Sequence, residues 1–427
     1  MSDQTIGLLA LIAVLVMIAL RAPIAIALLT VTFAAIWHIA GLQPAISILT
    51  SVPYNFTSSW TLSSIPMFLF MGYIAYHSGM TKGLFQAARV WLSWLPGGLA
   101  ISSIVGCGGF ASVTGSSMAC SAAVGRIAVP EMTQRGYDIR IATGAVAVGG
   151  TLGALIPPSL LLILYGIYAQ VSITDLFYYG LLLGISSIFM YTATILVLYY
   201  ISPGRMPMTE SFSWQERASS IYGILPAGFL AASVFGGLFL GIFTATEAGA
   251  IGVVLAAAIS LLTRSLTWEG FIESCKDTLM SCGNIFLIAI AANSFTRMIA
   301  LSGISSDLGM WLESTDLGPN QILLIIFVMY LILGMFIDPL GAMLLSLPII
   351  LPILPDQGIS VIWFGMFLAK LLEMGMISPP VGLNVFVIHG IFKETVRLEQ
   401  VFYGILPFFI ADIILVFVLM GARSVLF

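Results

Sequence analysis

The sequence predicts an all-α polytopic membrane protein made of two inverted-topology repeats, about ten transmembrane crossings plus two re-entrant hairpins. Three observations lead there. Of the 427 residues, 59% are hydrophobic and 8% charged, against roughly 25% charged in a soluble protein. Apolar stretches that meet the requirement of roughly 20 residues per span recur from end to end, so no soluble domain of useful size is left. Each half also contains one apolar segment interrupted by glycines and a proline pair: Gly150-Thr151-Leu152-Gly153-Ala154-Leu155-Ile156-Pro157-Pro158-Ser159 and Gly375-Met376-Ile377-Ser378-Pro379-Pro380-Val381-Gly382. Proline lacks the amide hydrogen and clashes with the preceding turn, so both segments should break rather than bend. Within a bilayer, freed backbone groups are tolerated only where protein or a water-filled cavity satisfies them, which marks a broken span as a candidate ion or substrate site.

The apolar run Ile6 to Leu20 is read as a retained helix, because Asp3 stands where a signal peptide carries basic residues and no small-residue cleavage pattern follows. Arg21-Ala22-Pro23 separates it from a second span, Ile24 to Ala40. A polar loop with Pro53, Asn55 and Trp60 then leads to a third span, Ser64 to Tyr76, and Lys82 to Trp94 reads as an interfacial arm. Residues 97–129 are apolar but carry Ser112-Val113-Thr114-Gly115-Ser116-Ser117 at their centre, the pattern of a re-entrant hairpin with a polar tip. The first broken span, about 141–170, and a further span, Leu176 to Ile201, complete the first repeat, 1–202.

Residues 203–219, with Arg205, Glu210, Glu216 and Arg217, read as a cytoplasmic linker. The second repeat, 220–427, then runs through Ile224 to Leu240, Ala248 to Leu262, an amphipathic piece from Thr267 to Cys282, and a span near Ile285 to Leu301. The loop Ser302 to Asn320, with Asp307, Glu313 and Asp316, is acidic and lacks lysine and arginine. A second hairpin, about 322–354, is interrupted by Asp338-Pro339-Leu340-Gly341, and a second broken span, about 362–391, precedes the last helix.

Duplication is supported by matches at nearly constant offset: Pro157-Pro158 with Pro379-Pro380, Tyr179-Gly180 with Tyr403-Gly404, and Ser78-Gly79 with Ser302-Gly303. Five crossings per repeat is an odd number, so the copies enter the membrane in opposite senses. Placing the base of the first hairpin in the cytoplasm puts 12 of the 15 Lys and Arg residues on that side, as the positive-inside rule prefers, with both termini outside.

Two polar tips and two breaks meeting near the midplane would offer hydroxyls, carbonyls and helix ends to one cavity. Such oxygens suit a hard monovalent cation such as sodium, and helix N-termini suit an anionic group. The first cation site is expected from Ser112, Ser116 and Ser117 with carbonyls of Gly150, Thr151 and Gly153, and the second from Asp338, Gly341, Gly375, Met376 and Ser378. Thr114, Gly115, Ser159, Asp338 and Asn384 are the candidate substrate contacts. Small hydroxyl residues and glycines also serve close helix packing, so the cluster counts for more than its members. A carboxylate at bilayer depth, as at Asp338, is a functional hypothesis in its own right.

Other polar residues have simpler readings. Glu247 in Thr244-Ala245-Thr246-Glu247 is a helix cap, Arg297 and Lys370 snorkel to an interface, and His389 is a hydrogen-bonded packing residue. The four cysteines lack metal-ligand spacing and read as packing. No P-loop, Gly-x-Ser-x-Gly or His-Glu-x-x-His pattern occurs, which excludes direct drive by nucleotide hydrolysis in this chain and argues against an enzyme.

Gly108-Gly109-Phe110-Ala111-Ser112-Val113-Thr114-Gly115-Ser116-Ser117, the Gly150 to Ser159 break, Phe243 to Ala250, Asp338-Pro339 and Ser378-Pro379-Pro380-Val381-Gly382-Leu383-Asn384 together resemble the large membrane subunit of TRAP (tripartite ATP-independent periplasmic) transporters, within them the sialic-acid branch. The resemblance implies a bacterial inner-membrane importer that carries an organic acid, sialic acid (N-acetylneuraminate) in that branch, together with sodium ions. It also implies a periplasmic substrate-binding protein that delivers the acid and a separate small membrane subunit of about four helices. An elevator mechanism follows from the same likeness, with hairpins and broken helices moving against a scaffold and Lys82 to Trp94 and Thr267 to Cys282 as arms. A C4-dicarboxylate or other carboxylate is the alternative cargo. A gated channel and an intramembrane enzyme using Asp338 with His389 or Glu373 are the readings from other classes.

Overall fold

The computed structural model describes residues 2–207, 212–315 and 317–426, except the side chains of residues 313 and 424–426. Glu210 and Asp316 lie outside the described residues. Helix starts follow the short polar side chains: Ser2, Ser116, Asp138, Ser159, Ser172, Ser213, Thr244, Thr267, Asp338 and Ser360 each accept a hydrogen bond from a backbone amide of the helix they open. Thr244 and Glu247 form a full capping box, the role expected of Glu247.

The first half comprises α1 (Asp3–Ala19), α2 (Ile24–Ala40), α3 (Leu42–Thr57), α4 (Ser64–His77), α5 (Lys82–Leu92), α6 (Gly98–Thr114), α7 (Ser117–Gln134), α8 (Ile139–Thr151), α9 (Leu160–Ala169) and α10 (Ile173–Ile201). The second comprises α11 (Trp214–Phe239), α12 (Ala245–Leu262), α13 (Trp268–Ser302), α14 (Ile304–Glu313), α15 (Pro319–Gly334), α16 (Pro339–Ile350), α17 (Ile353–Asp356), α18 (Val361–Gly375), α19 (Leu383–Ile391) and α20 (Leu398–Leu426). Among the described residues there is no strand, and α10, α11, α12, α13 and α20 are each long and apolar enough to cross a membrane. Helix starts recur in order, α2 at 24 with α12 at 245, α8 at 139 with α18 at 361, and α10 at 173 with α20 at 398.

Four readings of the sequence need correction. Residues 42–57 form α3 rather than a polar loop: Pro53 removes one backbone bond near the end of the helix without stopping it. Residues 214–219, assigned to the linker, are the first turns of α11, started by a capping box of Ser213 and Glu216. The stretch read as an amphipathic arm, Thr267 to Cys282, and the span after it are one continuous helix, α13, of 35 residues. The helical arm that follows Gly303, as α5 follows Gly79, is α14, where a polar loop was expected. An acidic composition marked that segment as exposed; it did not mark it as irregular.

Packing divides the buried apolar side chains into two cores. One gathers residues of α6, α7, α8, α19 and the start of α20, including Ile104, Val146, Val385 and Val401. The other gathers α2, α4, α9, α12, α13, α15, α16 and α18, including Leu28, Phe68, Leu162, Phe295 and Phe364. The broken helices thus exchange limbs. The first limb of one break, α8, lies against the second limb of the other, α19, and α18 lies against α9. Two crossings are close enough to require glycine, on both sides between α8 and α20 and on the α5 side between α5 and α11. At α8 and α20, a Cβ on Gly144 would strike the Gly404 carbonyl; at α5 and α11, a Cβ on Gly83 would strike that of Gly223.

Candidate functional site

Four helices begin at one cavity. Ser116 opens α7 and accepts from the Ala119 amide at 3.4 Å, and Ser159 opens α9 and accepts from Leu162 at 3.4 Å. Asp338 opens α16 and accepts from Gly341 at 2.9 Å, and Gly382, at φ +57°, opens α19. The chain reaches each start from a helix end: α6 at Thr114, a 3-10 turn at Leu152–Ala154, α15 at Gly334 and α18 at Gly375. Along the chain, each carbonyl-rich end, favouring positive charge, is thus followed by an amide-rich start, favouring negative charge.

The cavity has a volume of about 270 Å³. Gly115, Ser116 and Ser117 line it from the first tip, Ala154 and Ser159 from the first break, Asp338 from the second tip, and Met376 and Leu383 from the second break. The facing wall comes from α4 and α13, which contribute Tyr73, Ser281 and Asn284. Tyr73 and Ser281 are hydrogen-bonded to each other at 2.7 Å. Among the described residues, Asp338 is the one charged side chain in this lining.

Of the residues singled out in the sequence, Gly115, Ser116, Ser117, Ser159, Asp338 and Met376 reach the cavity. The others form the layer behind it. Ser112 and Thr114 turn back onto their own helix, donating to the carbonyls of Gly109 at 2.7 Å and Phe110 at 3.1 Å. Gly115 sits at φ +61°, and a Cβ there would strike the Pro158 carbonyl, so the first tip rests on the first break. Gly153 completes that contact, since its Cβ would lie 2.7 Å from the Ser117 amide nitrogen, and Gly150 is pressed against Ser121. Gly341 lies beside Asp338, and Gly375 meets Gly334 of α15 backbone to backbone.

In the second break, Ser378 donates to the Met374 carbonyl at 2.9 Å, while the Asn384 amide nitrogen closes the loop onto the Met376 carbonyl at 3.0 Å. The Asn384 side chain crosses to the first half, donating to the Ala147 carbonyl at 3.3 Å. Its Oδ1 is buried without a hydrogen-bond partner, and so is Ser121 Oγ. Buried oxygens left over in this way are ready acceptors for a cation or a donor. Among the described residues, no three His, Cys, Asp or Glu side chains gather as a metal cluster. What the cavity wall offers is hydroxyl, amide and carbonyl oxygen, with one carboxylate.

Behind the breaks lies a group that the sequence did not reveal. Lys370, read as snorkelling to an interface, is fully buried, as are Glu373 of α18 and Asp412 of α20. Lys370 Nζ lies 2.9 Å from Glu373 Oε2, 2.6 Å from Asp412 Oδ1, 3.1 Å from Tyr191 OH and 3.2 Å from Ser187 Oγ. The Asp412 contact is an ion pair rather than an aligned hydrogen bond. The hydroxyl of Thr151, the last residue of α8, lies 2.5 Å from Glu373 Oε1 and 2.7 Å from the Val148 carbonyl and shares its one hydrogen between them. A single buried ion costs several kcal/mol, so each member is tolerable only with the others present. The spacing Lys370 to Glu373 puts both on one face of a helix; the third partner, Asp412 of α20, 42 positions after Lys370, is visible only in the fold. His389 donates from Nδ1 to the Val396 carbonyl at 3.0 Å and stands apart from this group.

Residues 11–424 match the family described as "Tripartite ATP-independent periplasmic transporter, DctM component". The chain is 31% identical to the C4-dicarboxylate TRAP transporter large permease protein DctM of Pseudomonas aeruginosa, over 81% of this chain and 83% of that protein. It is 28% identical to the sialic acid TRAP transporter permease protein SiaT of Haemophilus influenzae, over 82% of this chain and 57% of that protein. The fold is similar to that of the Alcanivorax borkumensis YdaH transporter, with a TM-score of 0.63 at 17% identity, over 91% of this chain and 89% of that one.

Proposed function

We propose that this chain, which belongs to the DctM component family of tripartite ATP-independent periplasmic transporters, is the permease through which a sodium gradient drives import of an organic acid. It is a transporter subunit and not an enzyme. One observation supports the finer reading: the starts of α7, α9, α16 and α19, two from each half, all contribute residues to one cavity of about 270 Å³. That volume is close to the lower end of small-molecule sites, roughly 300–1,000 Å³.

Sodium is held by carbonyls of Gly150, Thr151 and Gly153 near Ser116 and Ser117, and by Asp338 with carbonyls of Gly341, Gly375 and Met376. The substrate carboxylate faces the starts of α7, α9 and α19, near Ser159 and Asn384. Without a cation, Asp338 repels that carboxylate; with one, the repulsion is relieved, and this ordering couples the two fluxes. In this reading the chain crosses the bacterial inner membrane ten times, and the hairpins and broken helices move as an elevator against α4 and α13. A periplasmic binding protein delivers the acid, and a small membrane subunit completes the assembly. Sialic acid is the cargo of this reading. A C4-dicarboxylate is the second candidate, favoured by the name of the Pseudomonas aeruginosa relative.

The test is uptake by vesicles containing this chain, its small subunit and the binding protein, with sodium and candidate acids varied in turn. Accumulation above the outside concentration that stops on removal of sodium supports the proposal. Mere equilibration points to a channel, and appearance of a chemically altered solute points to an enzyme.

A further inference from the structure

The group behind the cavity has a geometry that packing alone does not require. Thr151 and Glu373 are 222 residues apart, the offset that also separates Pro157 from Pro379, so they occupy equivalent positions in the two halves. Each lies at the end of the helix that leads into its break, and their side chains meet at 2.5 Å, where the two halves face each other. The Glu373 carboxylate is itself fixed from behind. Its second oxygen is held by Lys370 at 2.9 Å, and Lys370 is held in turn by Asp412 and Ser187, while Tyr191 OH lies 3.3 Å from Oε1. All three charged groups are fully buried, so this arrangement is rigid compared with any exposed salt bridge.

In the chain, Thr151 belongs to the stretch that supplies the carbonyls of Gly150 to Gly153, and Glu373 precedes those of Gly375 and Met376 by two and three residues. A cation that draws one set of carbonyls inward therefore pulls on a carboxylate fastened to the other set. We propose that the Thr151–Glu373 bridge, anchored by Lys370 and Asp412, is the positioning element that makes the two sodium sites bind cooperatively. This rests on the sodium reading given above. Thr151 acts in it through its hydroxyl, which faces Glu373, and not through its carbonyl.

Coupling through one buried, charge-assisted hydrogen bond is of the size that changes affinity by about five-fold or more. The test uses the complete reconstituted assembly and the variants Thr151→Val, Thr151→Ser and Glu373→Gln. Thr151→Val keeps the backbone carbonyl and the shape of the side chain while removing the hydroxyl. Sodium dependence of uptake is measured for each, with sodium binding to the purified protein followed by tryptophan fluorescence as a readout independent of transport. The wild type is expected to show a Hill coefficient for sodium above one. Thr151→Val and Glu373→Gln should bring it to one and raise the half-saturating sodium concentration about five-fold, and Thr151→Ser should restore both.

An unchanged Hill coefficient in Thr151→Val overturns the bridge and leaves sodium coupling intact. A Hill coefficient of one in the wild type does the same. Uptake by the wild type that ignores sodium overturns the underlying sodium reading. If Glu373→Gln alone alters the sodium response, the carboxylate acts through Lys370 without the bridge, and the proposal is wrong.

Discussion

The two hairpin tips do the same structural work with different chemistry. At the first, Ser116 caps α7 with a hydroxyl; at the second, Asp338 caps α16 with a carboxylate, and both reach the same cavity. Capping explains why a short polar side chain stands at each tip. It does not explain the charge, because serine suffices at the first. The difference teaches that near-symmetry of backbone is combined here with asymmetry of charge, and that the second tip carries a negative charge into the cavity where the first carries none.

The widest gap between the tips should open when only the charge is removed. Asp338→Asn keeps an acceptor for the Gly341 amide. It is expected to lower sodium-driven uptake by about 100-fold, the effect of losing a directly bound charge, while the purified protein still assembles. Wild-type uptake by this variant would erase the distinction between the tips. Next in size is Gly115→Val. The positive φ and the Pro158 carbonyl both oppose a side chain, so uptake should fall about ten-fold with a lower melting temperature. A variant that melts and transports normally would mean that the first tip does not rest on its break as described.

Ser116→Ala should be milder. Losing a hydroxyl cap costs about 1 kcal/mol, and the half-saturating sodium concentration should rise by a few-fold, far short of the Asp338→Asn effect. Equal effects at the two tips would favour capping over charge as their common role. The smallest change is expected from Thr244→Ala, which removes a capping box on α12 away from the cavity. Stability should fall by about 1 kcal/mol, with unaltered uptake kinetics in the protein that remains folded.

What could be read from sequence was local chemistry. A proline pair flanked by glycine limits a helix wherever it lies, and the helical segments end at Ala154 and Gly375. A serine or aspartate followed by an apolar run signals a helix start, hence Ser116, Ser159 and Asp338. Depth was not legible. Lys370 in Leu368-Ala369-Lys370-Leu371-Leu372 looks like an interfacial lysine until α20 brings Asp412 beside it. Polar residues inside a long helix misled in the other direction. Read from sequence, an arm ends at Cys282 and a span starts near Ile285, whereas α13 continues through both and turns Ser281 and Asn284 to the cavity. The clue was present, since a polar interruption in a buried segment can mark a lining as well as an end.

The unbroken course of α13 has a further consequence. In the first half, α3 and α4 are separate helices joined by a 3-10 turn at Trp60–Ser63. In the second, 35 residues run straight through, which at about 1.5 Å per residue gives a rod of about 52 Å, against a hydrocarbon layer about 30 Å thick. Roughly 20 Å of that rod must be absorbed by tilt or emerge beyond the layer, whereas in the first half the break at Trp60–Ser63 lets α3 and α4 take separate directions. The two halves, related by duplication, therefore differ in how far their equivalent helices can reach past the hydrocarbon layer.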